Sequence, residues 1–333
     1  MFEQYKNNDL ACYAGYIKDD SELLECTSGG IATALARQMI QDGGYVAGVA
    51  YSDDFYRAEY LITRDESDLN KFKGSKYFQF DKKTIYKDVK TLLDRNEKVL
   101  FFGLPCIVAA LRSFLGRDYD NLIACELICH GPTSQKVHSE YIKYLEDKYN
   151  DKIIDFSVRH KRDAWMPTYL YAKFQNGQIF EKEFYSTEYG YAFSVMAQPG
   201  CYHCPFKGNN RTGDLMIGDF WGATKSDIFW NEKGVSAILA HTVKGKEFLQ
   251  STESIQLFET TFERIVANNR MVIQSRTPSP EKSKFEQLFA QKGLFYAVQH
   301  SKSLKRRFKD FLKVLLPESI RSPLKKWYHK IKR

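Results

Sequence analysis

The chain has 333 residues, of which 43% are hydrophobic, and a formal net charge of +8 at pH 7. This length allows two domains with a sizeable core, and the hydrophobic content is ordinary for a soluble globular protein. No apolar run is long enough to span a membrane, and the N-terminal residues lack the apolar region of a secretory signal, so we expect a cytoplasmic protein.

The positive charge is concentrated at the C-terminus. Residues 302–333 contain twelve Lys and Arg but only two acidic residues, so the rest of the chain is slightly acidic. No motif for reading RNA or DNA accompanies this charge, and we therefore expect no nucleic-acid partner.

The first 150 residues alternate between helix-like and strand-like segments. Helices are predicted over residues 31–41, 82–96, 107–115 and 134–149. Strands are predicted over residues 45–51, 98–103 and 122–129. Ser134 is expected to cap the last of these helices. This alternation indicates an α/β fold with a largely parallel sheet in the N-terminal half.

The pattern changes near residue 151. Short strands are predicted over residues 153–158, 169–174, 178–184, 214–218 and 235–241, and helices over residues 244–250 and about 280–297. The Asn176-Gly177 pair predicts a hairpin turn between two of these strands. We therefore expect a smaller, mixed α+β C-terminal half, and a division of the chain into residues 1–150, 151–300 and 301–333.

The last segment, residues 301–333, is predicted to be a basic amphipathic tail. Apolar residues recur on one helical face at Leu304, Phe308, Phe311, Leu312 and Leu315. Lysines and arginines occupy the other faces. Such a helix can dock on the body of its own protein, or it can contact a membrane surface or a partner, and the sequence favours neither.

Four cysteines carry the strongest chemical signal. Cys106 and Cys129 each follow a predicted strand, and one helix joins the two strands. If these strands are parallel neighbours, both thiols emerge at the sheet edge where α/β proteins bind cofactors. Cys201 and Cys204 form a C-x-x-C pair in a loop.

Four thiols that meet can bind an iron–sulfur cluster or a structural zinc ion, and the residue types favour neither. A third interpretation is that these cysteines are unrelated core residues. Cys125, inside a predicted buried strand, is expected to be a small core residue.

Two loops contain residues suited to an anionic or aromatic ligand. Ser28, Gly29 and Gly30 precede a predicted helix, whose first N–H groups can bind a phosphate. The alternative, which the sequence favours, is that Thr27 or Ser28 simply caps the helix. The second loop contains Gly74, Ser75, Lys76 and Tyr77. Its lysine can contact a flavin ring or a phosphate, although an exposed surface lysine is the more usual outcome.

Seven motifs occur in the order CTSGGIATAL, FKGSKY, VLFFGLPC, DNLIACELICHGP, GCYHCPFK, RTGDLMIGDFWG and GVSAILAHT. Together, from about residue 11 to residue 247, they resemble the beta subunit of coenzyme F-420 hydrogenase/dehydrogenase, a family that includes 7-hydroxymethyl chlorophyll a reductase. The resemblance implies an iron–sulfur flavoprotein oxidoreductase with FAD and a 4Fe–4S cluster, and it favours a cluster over zinc.

The resemblance also implies which residues hold each cofactor. The cluster ligands of the family correspond to Cys106, Cys129, Cys201 and Cys204. The flavin-binding regions correspond to the two loops, Ser28, Gly29 and Gly30, and Gly74, Ser75, Lys76 and Tyr77. Residues 1–150 then form the flavin-binding half, and residues 151–300 carry the C-x-x-C cluster loop.

The chain departs from many relatives at its N-terminus, where it begins directly at the flavin half without a ferredoxin domain. The resemblance therefore implies electron exchange with a separate ferredoxin or another electron-carrier subunit. Bacterial relatives are often linked to polysaccharide biosynthesis, so the deazaflavin of the family name need not be the substrate. The basic tail suggests a peripheral position at the inner face of the membrane. The alternative function is a non-catalytic scaffold or docking protein with a structural zinc site.

Several polar residues are candidates for the substrate side of the flavin. Asp214, Asp219 and Trp221 follow the cysteine loop, although the sequence slightly favours a simple turn at Asp219. His130 can donate a proton, bond a cluster sulfur or serve a structural role. The charge run at residues 159–162 can attract an anionic substrate, but a solvated surface run is the more common outcome.

Overall fold

The computed structural model describes residues 11–208, 211–304 and 306–307. The chain forms two compact units that divide after Thr277. In the described chain the strands are β1 (Ala11–Ile17), β2 (Tyr45–Tyr51), β3 (Ala58–Thr63), β4 (Val99–Gly103), β5 (Leu122–Leu127), β6 (Ile153–His160), β7 (Tyr169–Phe174), β8 (Ile179–Glu183), β9 (Leu215–Asp219), β10 (Ser236–Ala240) and β11 (Ile255–Glu259).

Ten α-helices are found in the same described ranges. They are α1 (Asp20–Glu25), α2 (Ile31–Gln41), α3 (Leu69–Phe72), α4 (Ile85–Asp94), α5 (Pro105–Leu115), α6 (Gln135–Tyr149), α7 (Glu188–Val195), α8 (Val243–Ser251), α9 (Phe262–Val266) and α10 (Lys282–Ser301). Short 3₁₀ helices occupy Glu66–Asp68, Phe184–Ser186, Pro199–His203 and Arg270–Val272.

The first unit is built on an eight-stranded sheet with the order β11-β1-β10-β9-β5-β4-β2-β3. Its centre is parallel, because β2, β4, β5 and β9 pair in parallel in that order. The strands on either side, β3 on one and β10, β1 and β11 on the other, pair antiparallel. The predicted α/β class is therefore confirmed, and the sheet takes strands from both sides of residue 150. The division at residues 150 and 300 stays a prediction.

The central strands are largely apolar because helices cover both faces of the sheet. All residues of β4 are buried, and they alternate between two cores. Leu100 and Phe102 pack with α2, whereas Val99 and Phe101 pack with α4 and α5. Cys125 is fully buried in β5 beside the first of these cores, so its expected role as a core residue is confirmed.

A three-stranded antiparallel sheet, in the order β6-β7-β8, forms the second layer of the first unit. β7 and β8 are joined by the predicted Asn176-Gly177 turn, in which Gly177 adopts a φ of 84° that favours glycine. Ser134 caps α6 as predicted, since its hydroxyl accepts from the N–H of Val137 at 3.4 Å.

The second unit contains α10, which is broken at Gly293, where φ is 78°. Most of the predicted basic tail, residues 305 and 308–333, lies outside the described residues. No helix in the described part of the chain is both long and apolar enough to cross a membrane.

Candidate functional site

A cavity of about 370 Å³ lies at the carboxyl ends of the central parallel strands. Gly103 at the end of β4, Leu127 at the end of β5 and Gly218 near the end of β9 all line it. Open α/β sheets bind their ligands at this edge. The fold therefore positions this cavity as the candidate site.

The first predicted loop lies at the start of α2, where Ser28 and Gly30 line the cavity. Gly30 is the N-cap residue in a left-handed conformation, with φ of 75°, and no side chain caps the helix. The prediction that Thr27 or Ser28 caps α2 is therefore wrong. Ser28 has a positive φ of 53°, and its hydroxyl donates instead to the carbonyl of Val235 at 3.0 Å.

Gly29 packs against Gly15 and Ser236 and does not itself line the cavity. A Cβ on Gly29 would lie 2.3 Å from the carbonyl oxygen of Gly15, so only glycine allows this close approach. Its N–H donates to the Ser236 hydroxyl at 3.0 Å. Ile31 and Ala32, the first residues of the uncapped helix, line the cavity. The helix start therefore has the open N–H groups that suit an anion.

The whole of the second predicted loop lines the same cavity: Gly74, Ser75, Lys76 and Tyr77. The structure thus brings the two loops together. Lys76 is half-buried, and its ammonium donates to the carbonyls of Lys71 at 3.0 Å and Lys73 at 2.9 Å, at the end of α3. Burial lowers the pKa of Lys76 to about 7. The expectation of an exposed surface lysine is therefore wrong, because this side chain anchors its own loop.

The four predicted cluster cysteines come from three segments of the first unit. Cys106 lies in the first turn of α5, and Cys129 follows β5 by two residues. Cys201 lies in the 3₁₀ helix Pro199–His203, and Cys204 comes directly after it. Because β4 and β5 are parallel neighbours, as the sequence predicts, the first two thiols emerge at the same sheet edge.

Electrostatic interactions between the thiols indicate that the fold brings Cys106, Cys129, Cys201 and Cys204 into one region. Burial raises the pKa of Cys106, and the nearby Cys204 and Cys201 raise it further. Burial raises the pKa of Cys129 to about 11, with Cys106 and Cys201 contributing in the same direction. In the described ranges, however, no three His, Cys, Asp or Glu side chains converge closely enough to hold one metal ion.

The segment after Cys129 joins the cysteine group to the cavity. Cys129, His130 and Gly131 all line the cavity. The N–H of Gly131 donates to the Cys129 sulfur at 3.3 Å, and a Cβ on Gly131 would lie 3.3 Å from the Cys201 sulfur. Burial lowers the pKa of His130 to about 4, so its ring is neutral at pH 7.

Asp219 and Trp221 line the cavity, as the sequence allowed. Asp219 does not serve a turn, because Arg159 donates to its two carboxylate oxygens at 2.5 and 2.9 Å. The Trp165 ring nitrogen donates to the same carboxylate at 3.1 Å. Asp214, in contrast, does not line the cavity and is buried in a bond with Arg112 at 2.9 Å.

The charge run at residues 159–162 is not a solvated surface run. Arg159 pairs with Asp219, and Lys161 is buried with its ammonium bonded to the carbonyls of Leu23 in α1 and Ser28 in the first loop. The other two residues of the run, His160 and Arg162, contact the carboxylate of Glu181 and are more exposed to solvent. The partners of Arg159 and Lys161 lie far away in the sequence, so the charge run itself could not predict these contacts.

Two buried polar atoms in the cavity wall have no hydrogen-bond partner among the described residues. They are Nε of Arg159 and Oδ1 of Asn269. Buried polar groups normally have a partner, so these atoms suit a bound molecule with polar groups of its own. No sequence pattern indicated a role for Asn269. It precedes the 3₁₀ helix Arg270–Val272, and its side-chain amide donates to the carbonyl of Asp219 at the end of β9 at 2.9 Å.

Comparisons with known proteins agree with this architecture. Two family models, for the N-terminal and the C-terminal parts of the coenzyme F420 hydrogenase/dehydrogenase beta subunit, match residues 12–82 and residues 96–263 respectively. The chain is also similar to a chain of the F420-reducing [NiFe] hydrogenase complex from Methanosarcina barkeri, with 16% identity and a TM-score of 0.52 over 79% of this chain and 87% of that chain. At this identity the likeness concerns the fold. No curated protein sequence matches the chain.

Proposed function

We propose that this chain, which belongs to the coenzyme F420 hydrogenase/dehydrogenase beta subunit family, is an iron–sulfur flavoprotein with FAD and a 4Fe–4S cluster. Membership of this family indicates an oxidoreductase. One observation carries the proposal. Cys129 belongs to the group of four thiols and also lines the cavity that both candidate flavin loops line. The two cofactors would therefore be neighbours.

Cys106, Cys129, Cys201 and Cys204 would hold the cluster. A zinc ion needs its sulfur ligands about 2.3 Å from one centre, whereas a 4Fe–4S cluster spreads its cysteine ligands over several irons. Both kinds of centre can take four cysteines, and the resemblance to the family is what favours the cluster.

The loops at residues 28–30 and 74–77 would hold the FAD. The uncapped start of α2 offers N–H groups to a diphosphate, while Tyr77, stacked on Phe193 at 4.4 Å, offers an aromatic wall to a ring. Arg159 and Asn269 present the two unpartnered polar atoms to the ligand. When bound, FAD supplies two-electron chemistry and the cluster supplies one-electron transfer.

We infer that the electrons are exchanged with a ferredoxin or another electron-carrier subunit, and that the two-electron substrate belongs to polysaccharide biosynthesis. Cys106 is the most exposed of the four cysteines, which favours access of such a partner to the cluster. The proposed location is the cytoplasm, with peripheral contact at the inner face of the membrane through the basic tail.

Anaerobic purification tests the two cofactors directly. We expect flavin absorption bands above a broad iron–sulfur shoulder, with iron, acid-labile sulfide and released FAD in the purified full-length chain. Cys204→Ser should remove most of the iron, because it deletes one cluster ligand. Cys12→Ala, which alters a buried cysteine in β1, is the matched control and should keep the iron. A colourless protein with stoichiometric zinc would instead support the scaffold alternative.

A further inference from the structure

Lys207 and Arg276 lie next to the cysteines, and neither forms a salt bridge with a carboxylate of residues 11–208 or 211–277. The Lys207 ammonium donates to the carbonyls of Cys129 at 3.0 Å and Met271 at 2.5 Å. The Arg276 guanidinium donates to the carbonyl of Phe193 at 2.7 Å and, less closely, to those of His130 and Gly131, both at 3.4 Å. Both side chains are partly buried.

Some other cations near the site have a carboxylate partner, whereas Lys76, Lys82 and Lys161 donate to backbone carbonyls. Arg211 lies 3.6 Å from the Glu126 carboxylate, and Arg159 is paired with Asp219. Lys207 and Arg276 differ from these lysines because they hold the carbonyls of residues 129–131, beside the cysteines. Shielding such a cation from water is costly unless an anion compensates it.

The thiols act on both cations and can provide that anion, whereas Tyr202 and Tyr185 act on Arg276 alone. Cys129, Cys204 and Cys201 act electrostatically on Lys207, and Cys201 and Cys129 act on Arg276. Free thiols are mostly neutral at pH 7, but metal ligation turns them into thiolates. A 4Fe–4S cluster with four thiolates carries a net charge of about −2 when oxidised and gains one more negative charge when it accepts an electron.

We propose that Lys207 and Arg276 compensate the negative charge of the thiolate-bound cluster and thereby raise its reduction potential, an inference that rests on the proposed function. Both cations stabilise the reduced cluster more than the oxidised one, because the reduced cluster carries the larger negative charge. The N–H of Gly131, which donates to the Cys129 sulfur, acts in the same direction. Lys207 and Arg276 are positioning residues, which also hold the backbone of residues 129–131 through its carbonyls.

A redox titration of the cluster, followed by electron paramagnetic resonance of the anaerobic full-length chain, tests this role. Lys207→Gln and Arg276→Gln should each lower the equilibrium constant for one-electron reduction about tenfold or more, equivalent to about 59 mV per tenfold change. Lys207→Arg and Arg276→Lys keep the charge and should stay close to the wild-type potential. Lys143→Gln, which alters an exposed lysine paired with Asp147, is the control for a distant charge.

The outcomes separate this inference from the proposed function. Wild-type protein without iron and sulfide would refute the cluster itself. An assembled cluster with a wild-type potential in both Gln variants would overturn the charge role alone. If the Gln variants lose the cluster while the charge-preserving variants keep it, the charge is required and the inference stands. If all four variants lose it, these residues serve only to shape the loop, and the inference fails.

Discussion

Lys161 is a lysine with only 4% of its surface exposed, and its ammonium donates to the carbonyls of Ser28 at 2.6 Å and Leu23 at 2.9 Å. These bonds join the residue after β6 to α1 and to the loop at the start of α2. Burial lowers the pKa of Lys161 to about 8, so the side chain still carries its charge at pH 7. Lys161 therefore helps to fix the backbone of the loop at residues 28–30, which we propose binds FAD.

Replacement of this lysine should affect the cofactor more than the fold. Lys161→Met removes both hydrogen bonds, but it also removes the cost of burying an ammonium. We therefore expect the free energy of unfolding to fall by no more than about 2 kcal/mol. The loop loses its support, and we expect the dissociation constant of FAD to rise about tenfold. Flavin fluorescence titration and urea unfolding measure the two effects.

Arg162→Gln provides a control from the same charge run. Arg162 is half exposed and pairs with Glu181, so its replacement should change stability by about 0.5 kcal/mol or less and leave FAD affinity unaltered. Equal FAD affinity in Lys161→Met and wild type would show that Lys161 does not position the loop.

At the scale of elements, α6 joins the large sheet to the three-stranded sheet through an aromatic cluster around His138. The His138 ring stacks on Phe78 with centroids 4.0 Å apart and on Tyr51 of β2 at 5.5 Å, and it meets Phe156 of β6 edge-on at 5.5 Å. Its Nε2 lies 2.6 Å from the carbonyl oxygen of Phe55. Burial lowers the pKa of His138 to about 4.

This histidine should make the fold sensitive to acid. Below its ordinary pKa of 6.5, the unfolded chain binds a proton at His138 that the folded chain does not bind until about pH 4. Stability is therefore retained above pH 6.5 and is lost as the pH falls. Between pH 6.5 and pH 5 the loss from this residue should be about 2 kcal/mol.

His138→Phe keeps the ring stacking but cannot take up a proton. At pH 8 it should be less stable than wild type by about 1 kcal/mol, because the Phe55 carbonyl loses its partner. Between pH 8 and pH 5 it should lose about 2 kcal/mol less than wild type, as measured by urea unfolding at both values. Parallel losses in the two proteins would contradict a neutral His138 in the folded state.

The elements also show where sequence patterns suffice. The buried strands β4 and β5 could be predicted because both faces are covered and their apolar runs are continuous. β1 could not, although it lies inside the sheet, because its partners β10 and β11 are more than 200 residues away. Glycine is common in turns, so Gly15 does not point to a strand. In the structure a Cβ at this position would lie 2.8 Å from the carbonyl oxygen of Gln256, so the glycine allows β1 and β11 to approach closely.

At the scale of the whole molecule, the sequence predicted the individual loops but only the fold shows that they share a cavity. The two glycine-containing loops and Cys129 come from three separated segments, and all three line the cavity at the edge where the parallel strands end. The compensating groups could not be predicted. Lys207 and Arg276 look like ordinary surface cations until the chain places them beside the cysteines.

The basic tail is the feature of the whole chain that bears on its location in the cell, and it lies mostly outside the described residues. Each lysine or arginine near an anionic membrane contributes about 1 kcal/mol of attraction, and the apolar face of the predicted helix adds burial. We expect the full-length chain to float with phosphatidylserine vesicles at low salt, and a chain that ends at Ser301 to remain in solution.

High salt should release the full-length chain, because the attraction is screened over about 8–10 Å at physiological ionic strength and over shorter distances above it. Uncharged phosphatidylcholine vesicles are the matched control and should bind far less. If the shortened chain floats equally well, the membrane contact lies elsewhere on the protein. If neither form floats, the tail does not hold the protein at an anionic surface, and its apolar face is left to pack on the body of its own protein or on a protein partner.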